Sequence, residues 1–495
     1  MQFPKLVWIV MSIGFLSLLP SCAEESSMTD LSTEDFLIAD ARGRGQNGGN
    51  GQNGGKGANG LGNEDPNQTI VNAITSTIVI QWSDVFLELD RYATGMRPNA
   101  TARAIAYINL AAYEVAVPFM DKYRSNSNRL RGLSINANEK GRRAKLIVAL
   151  NSSYAKVLDH FMINVTSDVK SKIGIAKDVN INILGKNLSP QEIQESKQWG
   201  NYVAAQVIAY SRTDRAAEQQ IQEPQPLSYE PPTGDGYWTY SADPERALFP
   251  YWKSVRTFVI SSNETSSTPP ISYNSNPESD YYAQMREVYN VNNTAKSEKN
   301  DDLWIAEFWS DDVEGLMMSP PGRQVSIAKQ LIIQNELNLE QSLVMMLKLG
   351  FSLNDAAVST WDDKYEYMVM RPSVFIHKFI DTGYQTNLYR LIYWPNPSFP
   401  GYPSGHSCFA SAAAGIFINQ FGDNMRFTDR SHEGRTEFRG EARSYNSLSE
   451  MAREGAFSRI PLGVHVRMDC TEGYRLGYEI SDAVNRLNLE NRGPA

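Results

Sequence analysis

Ala102-Arg103-Ala104-Ile105-Ala106-Tyr107-Ile108-Asn109-Leu110-Ala111-Ala112-Tyr113-Glu114-Val115 carries its apolar side chains at helical spacing, with Ile105, Ile108, Ala112 and Val115 on one face. Outward from it the same period recurs. Ile74, Ile78, Val85 and Leu89 form an apolar face upstream, and helical patterns run through Arg143–Met162, Pro190–Ser211, Val325–Leu349 and Asn354–Val369. Alternation of period two is scarce. Glu223–Pro277, rich in Pro, Tyr, Ser and Trp, reads as a long irregular excursion over the helices. The pattern predicts an all-α fold, a large helical bundle with long irregular loops, and two four-helix bundles packed side by side would give the same pattern.

The 495 residues, 41% hydrophobic and 21% charged, hold enough apolar material for one large or two ordinary domains. A net charge of -9 argues against a nucleic-acid partner, since a protein that meets phosphate backbones needs a basic face. Any anion site must then be a local concentration of cations.

Met1–Lys5 precedes the apolar run Leu6–Pro20, too short for a membrane span and suited to a secretory signal. Leu19-Pro20-Ser21-Cys22 resembles a bacterial lipobox, with Cys22 as the lipid-bearing first residue; ordinary cleavage after Ala23 is the alternative. The Gly/Asn-rich stretch Ala41–Asn63 cannot build a core. The expected organisation is a lipoprotein-type signal at 1–21, a flexible tether at 22–66, an N-terminal helical part at 67–340 and a C-terminal helical part with the chemistry at 341–490. Such a chain is an exported bacterial protein, an outer-membrane or periplasmic lipoprotein or a secreted one, and it meets a membrane only through its lipid anchor.

Three stretches of the C-terminal part concentrate the groups an oxyanion site needs. In Lys364-Tyr365-Glu366-Tyr367-Met368-Val369-Met370-Arg371-Pro372 the two cations are seven apart, so a helix would present Lys364 and Arg371 on nearly one face, with Arg371 in its last turn. Alone, such a pair is usually a solvated stripe. Pro403-Ser404-Gly405-His406-Ser407 opens an Ala-rich segment to Phe421, and a helix N-terminus there offers free N–H groups to an anion, with Gly405 allowing close approach. An ordinary Ser-capped helix reads the same way. Ser458-Arg459 leads to His465 and Asp469, four apart, so that the carboxylate can hold one imidazole nitrogen and leave the other free. Most such pairs are structural hydrogen bonds.

In this order the three blocks match the signature of the superfamily shared by type 2 phosphatidic acid phosphatases, bacterial acid phosphatases and vanadium haloperoxidases. Trp361-Asp362-Asp363 before Lys364, Phe399-Pro400-Gly401-Tyr402 before Pro403, and Pro320-Pro321-Gly322-Arg323 upstream resemble the vanadium-dependent haloperoxidases in particular, over about residues 70–485.

That resemblance implies vanadate bound by Lys364, Arg371, Ser404, Gly405 and Arg459, with His465 as the metal ligand oriented by Asp469. It implies His406 as the acid–base residue that helps peroxide replace a vanadate oxygen, and Trp361 and Phe399 beside the halide. The reaction would oxidise halide with hydrogen peroxide to hypohalous acid, for an organic acceptor that the sequence does not identify. The alternatives are an acid phosphatase of the same superfamily working through a phosphohistidine at His465, and a surface lipoprotein that binds an oxyanion without turnover. His160, His377 and His432 match no signature position and read as structural or exposed. If both site histidines face one anion, their segments pack closely, and Cys408 and Cys470 could then form a disulfide in an oxidising compartment.

Overall fold

The computed structural model describes residues 76–490 apart from 138–140, 142, 242–244 and 391–395. The signal, Cys22, the tether and Ile74 lie outside the described residues. Ile78, Val85 and Leu89, one apolar face in the sequence, are all buried on α1 (Thr77–Tyr92). Helix α2 (Asn99–Ala116) is buried along its whole length, which makes it an axis of the N-terminal part. Around it pack α3 (Leu146–Phe161) and α5 (Pro190–Ser211), with α4 (Ser167–Leu184) against α3 and α6 (Arg215–Gln222) following α5. Helix α5 starts where the sequence predicts, because Ser189 and Glu192 close a capping box ahead of Pro190.

After the excursion come α7 (Asp280–Glu298), α8 (Asp301–Phe308), α9 (Pro320–Gln334) and the 29-residue α10 (Leu339–Tyr367). The helical patterns at Val325–Leu349 and Asn354–Val369 are therefore divided differently from the expectation. The break falls at Asn335–Asn338, where Glu336 takes a left-handed φ of 50° and the Asn338 side chain accepts the Gln341 N–H at 2.9 Å. The apolar period continues through this turn, so period alone does not reveal it; the cap does. No comparable stop signal stands between 349 and 354.

Glu223–Pro277 holds only one short 3-10 turn, Trp252–Ser254, among its described residues. It is fastened to one face of α10 at every fourth residue. Asp355 accepts the N–H groups of Phe258, Val259 and Ile260 at 2.8, 2.8 and 3.1 Å. Ser359 meets Thr265 at 2.7 Å, Asp363 accepts the Ser267 N–H at 2.9 Å, and the Tyr367 hydroxyl donates to Ser267 O at 3.0 Å. A polar stripe at helical spacing thus takes the backbone groups that an irregular segment leaves unpaired.

The C-terminal part continues with α11 (Pro372–Phe379), α12 (Gly405–Phe421), α13 (Leu448–Phe457), α14 (Arg459–Leu462) and α15 (Arg467–Asn485). Between α12 and α13 lies a single antiparallel pair, β1 (Phe427–Asp429) and β2 (Arg443–Tyr445), with Phe427 opposite Tyr445. Helix α10 packs on α2 from the N-terminal part and on α12 and α15 from the C-terminal part, which sets Lys364 near its end among the later segments. No helix among the described residues is long and apolar enough to cross a membrane.

Candidate active site

Ser404 caps α12: its hydroxyl oxygen accepts the Ser407 N–H at 3.3 Å. The N–H groups of Gly405 and His406 stand in the first turn, where no intrahelical acceptor exists. A side chain at 405 would crowd Trp361, since a Cβ there would lie 3.0 Å from its Cζ3. On the other side α15 passes so closely that a Cβ on Gly473 would sit 2.2 Å from the Ser404 carbonyl oxygen.

Lys364 is fully buried, and its ammonium donates to the carbonyls of Pro400, Gly401 and Pro403 at 3.0, 3.1 and 2.5 Å. Three protons thus hold the loop that delivers Ser404. Burial, and next the Arg371 charge, holds Lys364 well below the ordinary lysine range.

Lys364 and Arg371 do not share a helix. Helix α10 stops at Tyr367, Met368 turns left-handed at φ 49°, and Arg371 is extended ahead of Pro372, which opens α11. The ring of Pro372 excludes the helical conformation at Arg371 and ends the shared face that the spacing predicts. Arg371 still reaches the site. Its Nε donates to Phe399 O at 3.0 Å, its Nη1 donates to Val464 O at 2.9 Å and lies 3.1 Å from His465 Nε2, and its buried Nη2 has no partner. Burial lowers it to about 10.

His465 also stands off the helix, since α15 begins at Arg467. Asp469, in the first turn, reaches back: its Oδ2 lies 3.0 Å from His465 Nδ1 and accepts the Val466 N–H at 3.2 Å. A carboxylate acceptor faces Nδ1 and a guanidinium donor faces Nε2, so the consistent assignment puts the ring proton on Nδ1 and leaves a lone pair on Nε2. Burial, then the charges of Arg371, Lys364 and Arg459, keep His465 well below its usual range and neutral. Burial raises Asp469 to about 6.

His406 also faces a carboxylate, but beyond hydrogen-bond length. Its Nε2 is 3.7 Å from Asp311 Oδ2, and its Nδ1 is buried without a partner. Burial, followed by Arg459 and Arg323, keeps it neutral. Arg459 donates from Nη1 to Trp309 O at 3.1 Å and from Nη2 to Asp312, leaving its Nε unpaired. Trp361 and Phe399 pack at a centroid distance of 4.8 Å, and the Phe399 ring has both the Lys364 ammonium and the Arg371 guanidinium 5.1 Å from its centre. The Trp361 N–H is taken by Leu248 O at 3.3 Å.

The residues drawn from separate stretches of sequence therefore come together. What they leave open is chemically specific: Arg371 Nη2 and Arg459 Nε are buried donors without acceptors, beside first-turn N–H groups and two neutral imidazoles. A tetrahedral oxyanion such as vanadate would satisfy these donors, so the residues present fit that cofactor. Asp469 Oδ1 is also unpaired, and as an acceptor it is not something an anion would satisfy.

Sequence reasoning missed Asp311, Asp312 and Gly473. In the sequence Ser310-Asp311-Asp312 looks like any acidic turn, and only its position among buried cations distinguishes it. His432, expected to be structural or exposed, is buried beside Arg323, while His377 is exposed. Cys408 and Cys470 are both buried free thiols and form no disulfide. Cys408 lies beside Thr360 and Cys470 beside Ser407, so close packing of the two segments does not bring the two thiols together.

A family model for the second helical-bundle domain of VCPO matches residues 344–491. The crystal structure of a bacterial vanadium-dependent iodoperoxidase superposes with a TM-score of 0.73 and 26% identity, covering 85% of this chain and 99% of that one. By sequence over residues 344–491, and by fold over most of its length, the chain is similar to the vanadium haloperoxidases. A bacterial vanadium-dependent chloroperoxidase in its holo form shares the fold, with a TM-score of 0.60 at 15% identity over 79% of this chain and 92% of that one. No curated protein matches in sequence. The span matched by the haloperoxidase model includes Lys364, Arg371, Ser404, Gly405, His406, Arg459 and His465, whereas Asp311, Asp312 and Arg323 precede it.

Proposed function

We propose that this chain is a vanadium-dependent haloperoxidase that oxidises halide with hydrogen peroxide to hypohalous acid, with vanadate held on His465. The observation that carries this reading is the pair of buried histidines, each facing a carboxylate, with His406 Nδ1 unpartnered and His465 Nε2 turned to Arg371, in a pocket of buried unpaired donors. When bound, vanadate supplies a Lewis-acidic centre that activates peroxide without changing its own oxidation state.

The chain's residues do the rest. His465 offers Nε2 as the ligand, and Asp469 fixes the ring that bears it. His406 offers Nδ1 as the base that takes a proton from incoming peroxide and returns it to the departing product. Arg371, Arg459 and the first-turn N–H groups of α12 bind the anionic oxygens and stay fixed while charge shifts among them. Lys364 keeps the Pro400–Pro403 loop, and so the N-terminus of α12, in position. Trp361 and Phe399 form the apolar wall against which halide would approach. We also propose that the chain is exported and anchored through lipid on Cys22; mass spectrometry of the mature N-terminal peptide tests this.

The deciding experiment measures peroxide-dependent oxidation of iodide, bromide and chloride by purified protein, with and without vanadate. Vanadate-dependent halide oxidation is expected. Hydrolysis of a phosphate monoester, with no halide oxidation, would assign the site to phosphoryl transfer through His465 instead. Neither activity in a protein that binds vanadate would make it a binder.

A further inference from the structure

Arg323 is completely buried and lies behind His406, outside the groups that would touch the anion. Its Nη2 and Nε donate to Asp311 Oδ1 at 2.8 and 3.2 Å, and its Nη1 donates to Asp429 Oδ2 at 3.2 Å. Nη2 also meets the Phe308 carbonyl and the His432 ring. The guanidinium is further enclosed by the rings of Phe308 and Trp309, 4.9 and 5.0 Å away. Asp429 is itself fixed at the end of β1 by the Ser431 N–H at 2.8 Å and by Gln330 at 3.3 Å. A planar fork held by two carboxylates on different segments cannot turn, and it leaves Asp311 one fixed direction. That direction presents Asp311 Oδ2 to His406 Nε2 at 3.7 Å, beyond hydrogen-bond length, so the carboxylate acts on the ring through its charge.

We propose that Arg323 is a positioning residue for His406: by fixing Asp311 it holds the His406 proton on Nε2 and keeps the Nδ1 lone pair free for the reacting proton. The β1–β2 hairpin, which lies between the second and third motif blocks and carries none of their residues, is then part of the catalytic device, because it supplies Asp429 and His432. Electrostatics agree with the geometry. Burial raises Asp311 to about 6, and Arg323 is the principal group opposing that rise. Without the guanidinium the carboxyl would shift further toward its neutral form and lose the negative charge that favours a proton on the nearby Nε2.

The inference rests on the base role proposed for His406, and its test reads His406 directly. In vanadate-free protein labelled with 15N-histidine, wild type should show His406 mainly as the Nε2–H tautomer, and Arg323→Gln should show a mixed population. Arg323→Lys keeps the buried charge but reaches one carboxylate at a time, so its spectrum should fall between the two. In the vanadate-loaded enzyme, kcat should fall about ten- to a hundredfold for Arg323→Gln and less for Arg323→Lys, with vanadate affinity within about threefold of wild type. If Arg323→Gln does not fold, Arg323→Lys decides alone. A His406 spectrum identical to wild type in a folded variant overturns the proposal and leaves the haloperoxidase reading standing. Absence of halide oxidation in wild type would sink that reading while the His406 signals still report on Arg323.

Discussion

His465 Nδ1 lies 3.0 Å from Asp469 Oδ2, and Nε2 of the same ring is left to Arg371 at 3.1 Å. The carboxylate is two residues into a helix and the imidazole two residues before it, so the first turn of α15 serves as a bracket for the ring. His465→Ala should abolish vanadate binding, because the proposed ligand bond is lost. Asp469→Asn can still accept the ring proton but carries no charge, so vanadate should bind about ten- to a hundredfold more weakly. Equilibrium ultrafiltration of vanadate-free protein measures both. Wild-type affinity in His465→Ala would remove the ligand role.

His406→Ala should leave vanadate affinity within a few-fold, because Arg371, Arg459 and His465 still hold the anion. The loss should appear in kcat, by roughly a hundredfold or more, as expected when a general base is removed. A large drop in affinity with turnover intact would reverse the two histidines' roles.

The position of Ser404 depends on a residue that does not touch the anion. A Cβ at Gly473 would lie 2.2 Å from the Ser404 carbonyl oxygen, a backbone atom that cannot rotate away. Gly473→Ala should therefore push α15 from α12, cost about 1–3 kcal/mol of stability and weaken vanadate binding. Gly174→Ala is the control. It lies inside α4 with nothing within 4 Å of an added Cβ, and should stabilise the protein by about 0.5–1 kcal/mol through helix propensity alone. Thermal melts of the two variants should move in opposite directions.

Helical period and the three motif blocks were readable because each is local. The face of Ile78, Val85 and Leu89, the capping of α5 by Ser189 and the cap at Ser404 all depend on neighbours within a turn or two. The geometry around Arg371 was legible only in part: the spacing to Lys364 suggested one helix, but Pro372 forces an extended Arg371 and the two cations approach from different segments. The Asn338 cap was present in the sequence but hidden beneath an unbroken apolar period. Asp311 was not legible at all. What makes it part of the site is its neighbours, Arg323 twelve residues on and His406 far along the chain, and no local pattern encodes such a meeting.

Two free thiols should be titratable in denatured, unreduced protein in addition to any modified Cys22. Both Cys408 and Cys470 are buried and unbonded, and burial raises Cys408 to about 12, far from the thiolate form that exchanges with disulfides. In the native protein both should resist alkylation at neutral pH. A titration that finds no thiol until reductant is added would show the two cysteines bonded after all.

Asp355 fastens the irregular excursion to α10. Its Oδ1 accepts the Phe258 N–H, and its Oδ2 accepts those of Val259 and Ile260. In Asp355→Asn one of these oxygens becomes an NH2 group that faces backbone donors and satisfies none of them. The cost should be about 1–3 kcal/mol, with faster amide exchange at 258–260. The effect should also depend on pH. Burial raises Asp355 from 3.8 to about 6 despite the N–H groups that favour its ionised form. The folded protein therefore keeps this proton to a higher pH than the unfolded chain does, and the associated stability is fully present below about pH 4 and lost as pH rises through about 6. The amide of the variant does not titrate, so the stability gap between wild type and Asp355→Asn should be widest near pH 4 and narrower near pH 7. Urea unfolding at a series of pH values measures that gap. If it widens with rising pH instead, the three N–H groups outweigh burial, and Asp355 is held as a carboxylate throughout.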